Sequence, residues 1–318
     1  MKLFKILTAL VLILLLMLAA FVAYIHFSGI PDYPKPVVPM MEIKCDSIST
    51  AEGARIASMI CVNCHMGNDG KLSGGFMKDL DPAFGKAWVA NITSDPEAGI
   101  GKMTVGELAY FLRTGVKANG YYAPPWMPKF HGLSDQDMQA VLCFLKSDHP
   151  WVAPSGQVHP TRQPSFLAKI LAHFVMKPLE FPTDAIVSPD TSNKIAYGKY
   201  VLQNKVECYS CHSADFKKQD PLMPEKSLGY LGGGNTLIDL EGKKIYSANI
   251  TMHPEYGIGK WTYDDFRKAV KEGKRPDGKS LRYPMAIYST MMDYEIEAIW
   301  AYLKSVPVLD NPVDRTGL

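Results

Sequence analysis

The 318-residue chain predicts an all-α fold. Three observations carry that expectation. Stretches of alternating β-branched residues are few, so strands should be scarce. Helix-opening capping boxes recur, at Ser49-Thr50-Ala51-Glu52, Thr104-Val105-Gly106-Glu107 and Thr262-Tyr263-Asp264-Asp265. Most of the chain also reads as two copies of one pattern. Each copy opens on Cys-x-x-Cys-His, as Cys61-Val62-Asn63-Cys64-His65 and as Cys208-Tyr209-Ser210-Cys211-His212.

The two motifs stand 147 residues apart, and the segments downstream of them repeat at 158. Asn91-Ile92-Thr93 matches Asn249-Ile250-Thr251, and Pro96-Glu97 matches Pro254-Glu255. Gly99-Ile100-Gly101-Lys102 matches Gly257-Ile258-Gly259-Lys260, Met127 matches Met285, and Leu145-Lys146-Ser147 matches Leu303-Lys304-Ser305. The second copy therefore carries 11 more residues between its motif and its Asn-Ile-Thr. Two copies point to two domains rather than a solenoid. Cys-x-x-Cys-His is the attachment signal of a c-type haem: the cysteines form thioethers with the porphyrin and the histidine ligates iron. A zinc site would draw on distant Cys or His partners, and no second Cys-x-x-Cys lies within either copy. A thioredoxin-like dithiol would need a βαβ setting.

In chain order, residues 1–27 form a transmembrane anchor or a signal peptide. Ile6 to Phe27 is apolar except for Thr8, Tyr24 and His26. About 20 such residues span the ~30 Å hydrocarbon core, and a signal-peptide core is shorter, about 7–15 residues. Leu18-Ala19-Ala20 offers a cleavage site, while Lys2 and Lys5 favour a cytoplasmic N-terminus. Residues 28–44 are a Pro-rich spacer, stiff enough to hold the first domain off the bilayer. Domain 1 covers 45–150, with helices running into Cys61, over Thr104 to about Thr114, and over about 135–147 capped by Ser134 with Asp137 closing the box. Residues 66–90 form a glycine-containing loop over the haem edge. The linker, 151–189, holds a short apolar helix near Phe166–Met176 that packs between the domains or rests on a membrane surface; interdomain packing is the expectation. Domain 2 covers 190–308, with helices at about 192–209, from Thr262, and at about 291–305. Residues 309–318 are a tail.

A second axial ligand must come from the loop between the middle and last helices. Met127, between prolines, and Met285, after Pro284, fit for the two irons, and thioether ligation raises the potential. Methionines also fill cores, and Met291 and Met292 read as core or helix-start residues. His131 has Ser289 at its matched position, so it is not a shared ligand. His253, His159 and His173 read as loop and linker residues. Trp261, matched by Met103, and the matched pair Trp88 and Tyr246 are candidate donors to haem propionates, or core aromatics.

Net charge is +2 and the basic residues are scattered, so no nucleic-acid partner is expected. Four of the six cysteines belong to the motifs. Cys45 and Cys143 remain, as a disulfide in an exported compartment or as two unrelated thiols.

The series Asn-Ile-Thr, Gly-Ile-Gly-Lys-Trp-Thr, Asp-Gly, Met and Ala-Tyr-Leu-Lys-Ser over 249–305 resembles the cytochrome c subunits of membrane-bound alcohol, sorbitol and gluconate dehydrogenase complexes. Residues 91–147 resemble a weaker copy. Those subunits are similar to three haem domains in series, whereas this chain has two. The resemblance implies two tandem class I cytochrome c-like haem domains after an N-terminal transmembrane helix, with two covalently bound haem c groups. The expected function is electron relay, without catalysis of its own, between a dehydrogenase or quinone-linked complex and an oxidase or soluble cytochrome. The expected location is single-pass in a bacterial inner membrane, haem domains on the periplasmic side. The alternatives are a peroxidase-like dihaem enzyme, which needs an open iron and an acid–base group above it, and a sensor or structural subunit of a respiratory complex.

Overall fold

The computed structural model describes residues 1–124 and 126–313. It opens with α1 (Lys2–Ser28), whose 27 residues reach about 40 Å. Ile25 is its only buried side chain, at the C-terminal end.

The Pro-rich segment after α1 does not stand free. It straps the first copy. Ile30 is buried. The Tyr33 amide donates to the Gly120 carbonyl (2.9 Å), and the Tyr33 ring meets Tyr122 edge-on. Pro39 lies so close to Gly106 that a Cβ there would sit 2.0 Å from the Pro39 carbonyl. The strap ends in a disulfide between Cys45 and Cys143, closing a loop of 98 residues. The expected spacer role is thus corrected: extended backbone pairs readily with glycine edges that present no side chain.

In the first copy, α2 (Ser47–Ile60) starts earlier than the sequence suggests. Asp46 is the cap, accepting from the Ser49 amide at 2.7 Å, and Ser49 closes the box by accepting from the Asp46 amide. After it come α3 (Val62–His65), α4 (Val105–Thr114) and α5 (Asp135–Leu145). The Thr104–Glu107 box opens α4 as expected, and left-handed Gly115 closes it. Ser134 caps α5, but Asp137 does not reach back; its carboxylate is drawn to Tyr200 and Lys205 instead.

In the linker, α6 is Phe166–Phe174. The second copy opens with α7 (Lys194–Tyr200), a wide π turn over Val201–Lys205, and α8 (Cys208–His212), rather than one helix. Glu207 takes a left-handed φ of 49° at the break. Next are α9 (Tyr263–Glu272), opened by the Thr262–Asp265 box, and α10 (Asp293–Ser305).

Strands are short. They form three antiparallel ribbons: β1 (Gly75–Phe76) with β3 (Trp88–Val89), β2 (Gly85–Lys86) with β4 (Gln163–Pro164), and β5 (Thr236–Ile238) with β6 (Lys244–Tyr246). The second copy's extra residues fall within 213–235, which winds into two 3-10 turns, Phe216–Lys218 and Pro224–Lys226.

Each copy closes on the crossing of its first and last helices. A Cβ on Gly53 would lie 1.9 Å from the Ala140 carbonyl, and one on Gly198 would lie 1.9 Å from the Ala298 carbonyl. Ala140 and Ala298 are 158 residues apart, so the crossing is duplicated. The π turn matters here: Cys61 comes eight residues after Gly53, whereas Cys208 comes ten after Gly198. Apolar side chains fill one cluster around Ile56, Leu142 and Phe144, and another around Leu202, Ile296 and Leu303.

A buried ionic group joins the copies. Arg55 of α2 grips Glu295 of α10 with both terminal nitrogens, at 2.7 and 3.0 Å, while also bonding Glu52. Lys205 sits between Asp137 (3.0 Å) and Glu295 (3.1 Å). Helix α6 packs on the first copy and on α1 rather than wholly between the copies. Its Ala168, Leu171 and Ala172 are buried against the first copy, and its C-terminal end docks on α1.

Candidate functional site

Each Cys-x-x-Cys-His segment is a single helical turn held from behind by the Asn-Ile-Thr loop. Asn91 is the knot. Its side-chain oxygen accepts from the Thr93 amide (2.9 Å) and hydroxyl (2.6 Å), and its NH2 donates to the Ser155 and Gln157 carbonyls. Asn249 does the same with Thr251 (2.9 and 2.7 Å) and donates to the Leu309 carbonyl. The glycines of Gly-Ile-Gly-Lys lie against this knot. A Cβ on Gly99 would be 2.2 Å from the Thr93 carbonyl, and one on Gly257 would be 2.2 Å from that of Thr251. These repeated residues therefore serve close backbone approach, a role that their spacing alone does not reveal.

The knot sets the carbonyl just before it. His65 Nδ1 lies 2.8 Å from the Ala90 oxygen, and His212 Nδ1 lies 2.7 Å from the Ala248 oxygen. A carbonyl only accepts, so Nδ1 carries the proton in both rings and Nε2 keeps its lone pair. Burial holds both imidazoles below the usual histidine range, favouring the neutral ligand form.

The loops bearing the methionines are also duplicated. The Met127 amide donates to Pro124 and the Met285 amide to Arg282, both at 3.0 Å. Phe130 donates to Leu112 (2.8 Å) as Tyr288 donates to Val270 (2.9 Å). The Tyr283–Pro284 peptide is cis. Only the first loop has an ammonium beneath it. Lys129 Nζ donates to the Pro124 (2.8 Å) and Met127 (2.7 Å) carbonyls, where the second copy has Ile287.

Cys64, Cys211, Met127 and Met285 all line one continuous cavity of about 1310 Å³. That exceeds the roughly 300–1,000 Å³ usual for one small ligand. Cys61 is buried in the first cluster, and Cys208 packs on the second. Burial pushes both thiols up to about 12, the opposite of a reactive dithiol. Among the described residues no three His, Cys, Asp or Glu side chains come together as a metal cluster. The donor set fits haem c instead: two cysteines, a tautomer-fixed histidine and a thioether per copy.

The aromatic candidates lie elsewhere. Trp88 meets Phe76 edge-on at 5.4 Å, Tyr246 is exposed on β6, and Trp261 packs on the second cluster; none lines the cavity. His131 Nε2 donates to the Glu180 carbonyl (3.0 Å). His159 bonds the Ser73 carbonyl, His253 caps its own loop, and His173 meets the end of α1. Met291 is core, and Met292 caps α10 with its side chain exposed.

Residues 50–148 match the cytochrome c family model. Over 274 residues, 82% of this chain and 57% of the relative, the sequence is 30% identical to the cytochrome c subunit of the quinone alcohol dehydrogenase of Gluconacetobacter polyoxogenes. It is 29% identical to the fructose dehydrogenase cytochrome subunit of Gluconobacter japonicus, over 78% of this chain and 50% of that one. It is 28% identical to a diheme cytochrome c-type protein of Cereibacter sphaeroides, over 79% and 83%. The chain spans about half the length of the dehydrogenase subunits it matches. Residues 50–148 are thus a cytochrome c domain, the kind that carries covalently bound haem c, and the chain as a whole resembles the cytochrome c subunits of alcohol and fructose dehydrogenases.

Proposed function

We propose that the chain is a membrane-anchored dihaem c-type cytochrome. It relays electrons between a dehydrogenase or quinone-linked complex and a terminal acceptor, and catalyses no reaction of its own. Residues 45–150 and 190–308 are its two haem domains. Cys61 and Cys64 hold one group, Cys208 and Cys211 the other, with His65 and Met127 or His212 and Met285 as axial ligands. Haem c, when bound, supplies the one-electron chemistry of iron.

The observation that carries this reading is duplicated. In each copy a carbonyl fixes the histidine tautomer, and a matched turn brings a methionine to the same cavity as the second cysteine. The anchor is α1, long and apolar enough to cross a bilayer. Lys2 and Lys5 put its start in the cytoplasm and the haem domains on the periplasmic side.

The test is a haem count and a spectrum. Alkaline pyridine treatment of the purified chain should report two haems per polypeptide that survive denaturation. Oxidised protein should show far-red sulfur–iron absorbance for both. Met127→Ala and Met285→Ala should each remove one contribution and lower one potential. A count of one, or a high-spin iron at rest in the unaltered chain, overturns the reading.

A further inference from the structure

Helix α6 has two apolar faces, and the fold uses only one. Ala168, Leu171 and Ala172 face the first copy. Phe166 and Phe174 lie on the opposite side and are exposed, Phe174 at 55%. Half-buried Ile170 falls between them on the helical wheel, and Val175, just past the helix, is also exposed. The result is an outward stripe of three large apolar residues, Phe166, Ile170 and Phe174, with a basic flank: Lys169 on the helix and exposed Lys177 beyond it.

The stripe has a fixed height relative to α1. Phe174 meets Phe21 at 5.9 Å between ring centroids, and His173 meets Tyr24 at 5.8 Å. His173 Nε2 also lies 3.0 Å from the Ser28 hydroxyl and 3.2 Å from the Gly29 carbonyl. Lys169 bonds the His26 carbonyl. These contacts run from Phe21 to Gly29, the last two turns of α1, about 10 Å along its axis.

We infer that the outward face of α6 lies in the headgroup–acyl boundary of a phospholipid bilayer, beside the C-terminal end of α1. This rests on reading α1 as a retained membrane anchor. A spanning α1 is wrapped by lipid at Phe21, so Phe174, touching Phe21, is at lipid depth too. An amphipathic helix at such a boundary buries its apolar face about 5–10 Å and leaves lysines at the headgroups, which is the distribution here. Lipid is favoured over a protein partner because the stripe continues the lipid-facing surface of α1 without a polar break. Leu167, Ala168 and Leu171 also line the large cavity, so α6 brings one wall of it to the membrane surface.

The test uses the full chain, one copy per phosphatidylethanolamine/phosphatidylglycerol nanodisc, which removes a second copy as the cover. Single cysteines are placed by Leu14→Cys, Phe166→Cys, Phe174→Cys and Asp184→Cys. Their rates with a charged, membrane-impermeant maleimide are compared, with equal reaction after denaturation as the control. Cysteines at 166 and 174 should react more than about tenfold slower than at 184, as burial at the boundary requires. If they match 184 while 14 stays protected, the inference is overturned and the anchor stands. If 14 reacts as fast as 184, the anchor reading has failed and the inference falls with it.

Discussion

Asp137 and Glu295 occupy the same position in the two copies, 158 residues apart, and both reach the ammonium of Lys205, at 3.0 and 3.1 Å. Two carboxylates this enclosed repel each other unless a cation stands between them. Lys205→Met, which keeps the stem but removes the charge, should cost about 3–5 kcal/mol, the usual effect of breaking a buried ionic group from one side. The measurement is the urea midpoint. An unchanged midpoint would show that the Arg55 pairing with Glu295 suffices alone.

The same group sets the pH response. Burial raises the Glu295 carboxyl, but the Arg55 hydrogen bonds and the Lys205 and Arg55 charges outweigh it and hold the group below its ordinary 4.5. As pH drops below 4.5, the unfolded chain takes up this proton before the folded one. The stabilisation is therefore complete above 4.5 and is lost as pH falls through the lower folded value. Lys205 behaves in the mirror sense: burial lowers it, but Asp137 and Glu295 outweigh that and hold it above 10.5. Its contribution is complete below 10.5 and fades as pH rises through the higher folded value. Thermal melts from pH 3 to 6 should show Glu295→Gln flattening the acid limb.

The Cys45–Cys143 disulfide closes a long loop, so its removal releases considerable unfolded-chain entropy. Cys45→Ser with Cys143→Ser should cost about 2–5 kcal/mol while leaving haem content unchanged. Denaturation of the unaltered chain with and without reductant gives the same comparison, and equal midpoints would contradict it.

Lys129 donates to two carbonyls of the Met127 turn, and Ile287 leaves the Met285 turn without such a clamp. Lys129→Met should weaken one far-red sulfur–iron contribution, and Ile287→Leu should leave both. Magnetic circular dichroism of the oxidised protein resolves them. Loss of neither would assign Lys129 to stability alone.

Gly53 meets the Ala140 carbonyl too closely for any Cβ. Gly53→Ala should force α2 from α5 and cost at least the 1–3 kcal/mol typical of overpacking. Gly198→Ala should do the same at the matched crossing. Chemical denaturation measures both, and a neutral Gly53→Ala would mean that α2 slides without penalty.

The features readable from sequence are local or repeated. The Thr104 and Thr262 boxes open their helices as expected because a capping box is complete within four residues. Met127 and Met285 sit on matching turns, as their shared spacing suggests. The features that sequence hides depend on distant partners. Asp46, three residues ahead of Ser49, takes the cap position and makes Ser49 the third residue of its box. Asp137 leaves its box for Tyr200 and Lys205, residues over sixty positions away. The strap runs along glycines that no local pattern ties to it, and α6 docks its C-terminal end on α1. The π turn leaves only a trace in sequence: the two-residue difference in the step from glycine to cysteine.

That turn also shapes assembly. Three residues before the first cysteine, one copy has Ser58 and the other Lys205. Ser58 meets Thr290 near the start of the other copy's last helix (2.6 Å), and Lys205 meets Asp137 near the start of the opposite one. The contact is reciprocal, like the isologous face of a twofold dimer. A self-complementary face of this kind is used up when the pair forms. In this duplication the turns before the two haem motifs and the starts of the two last helices are therefore occupied by each other.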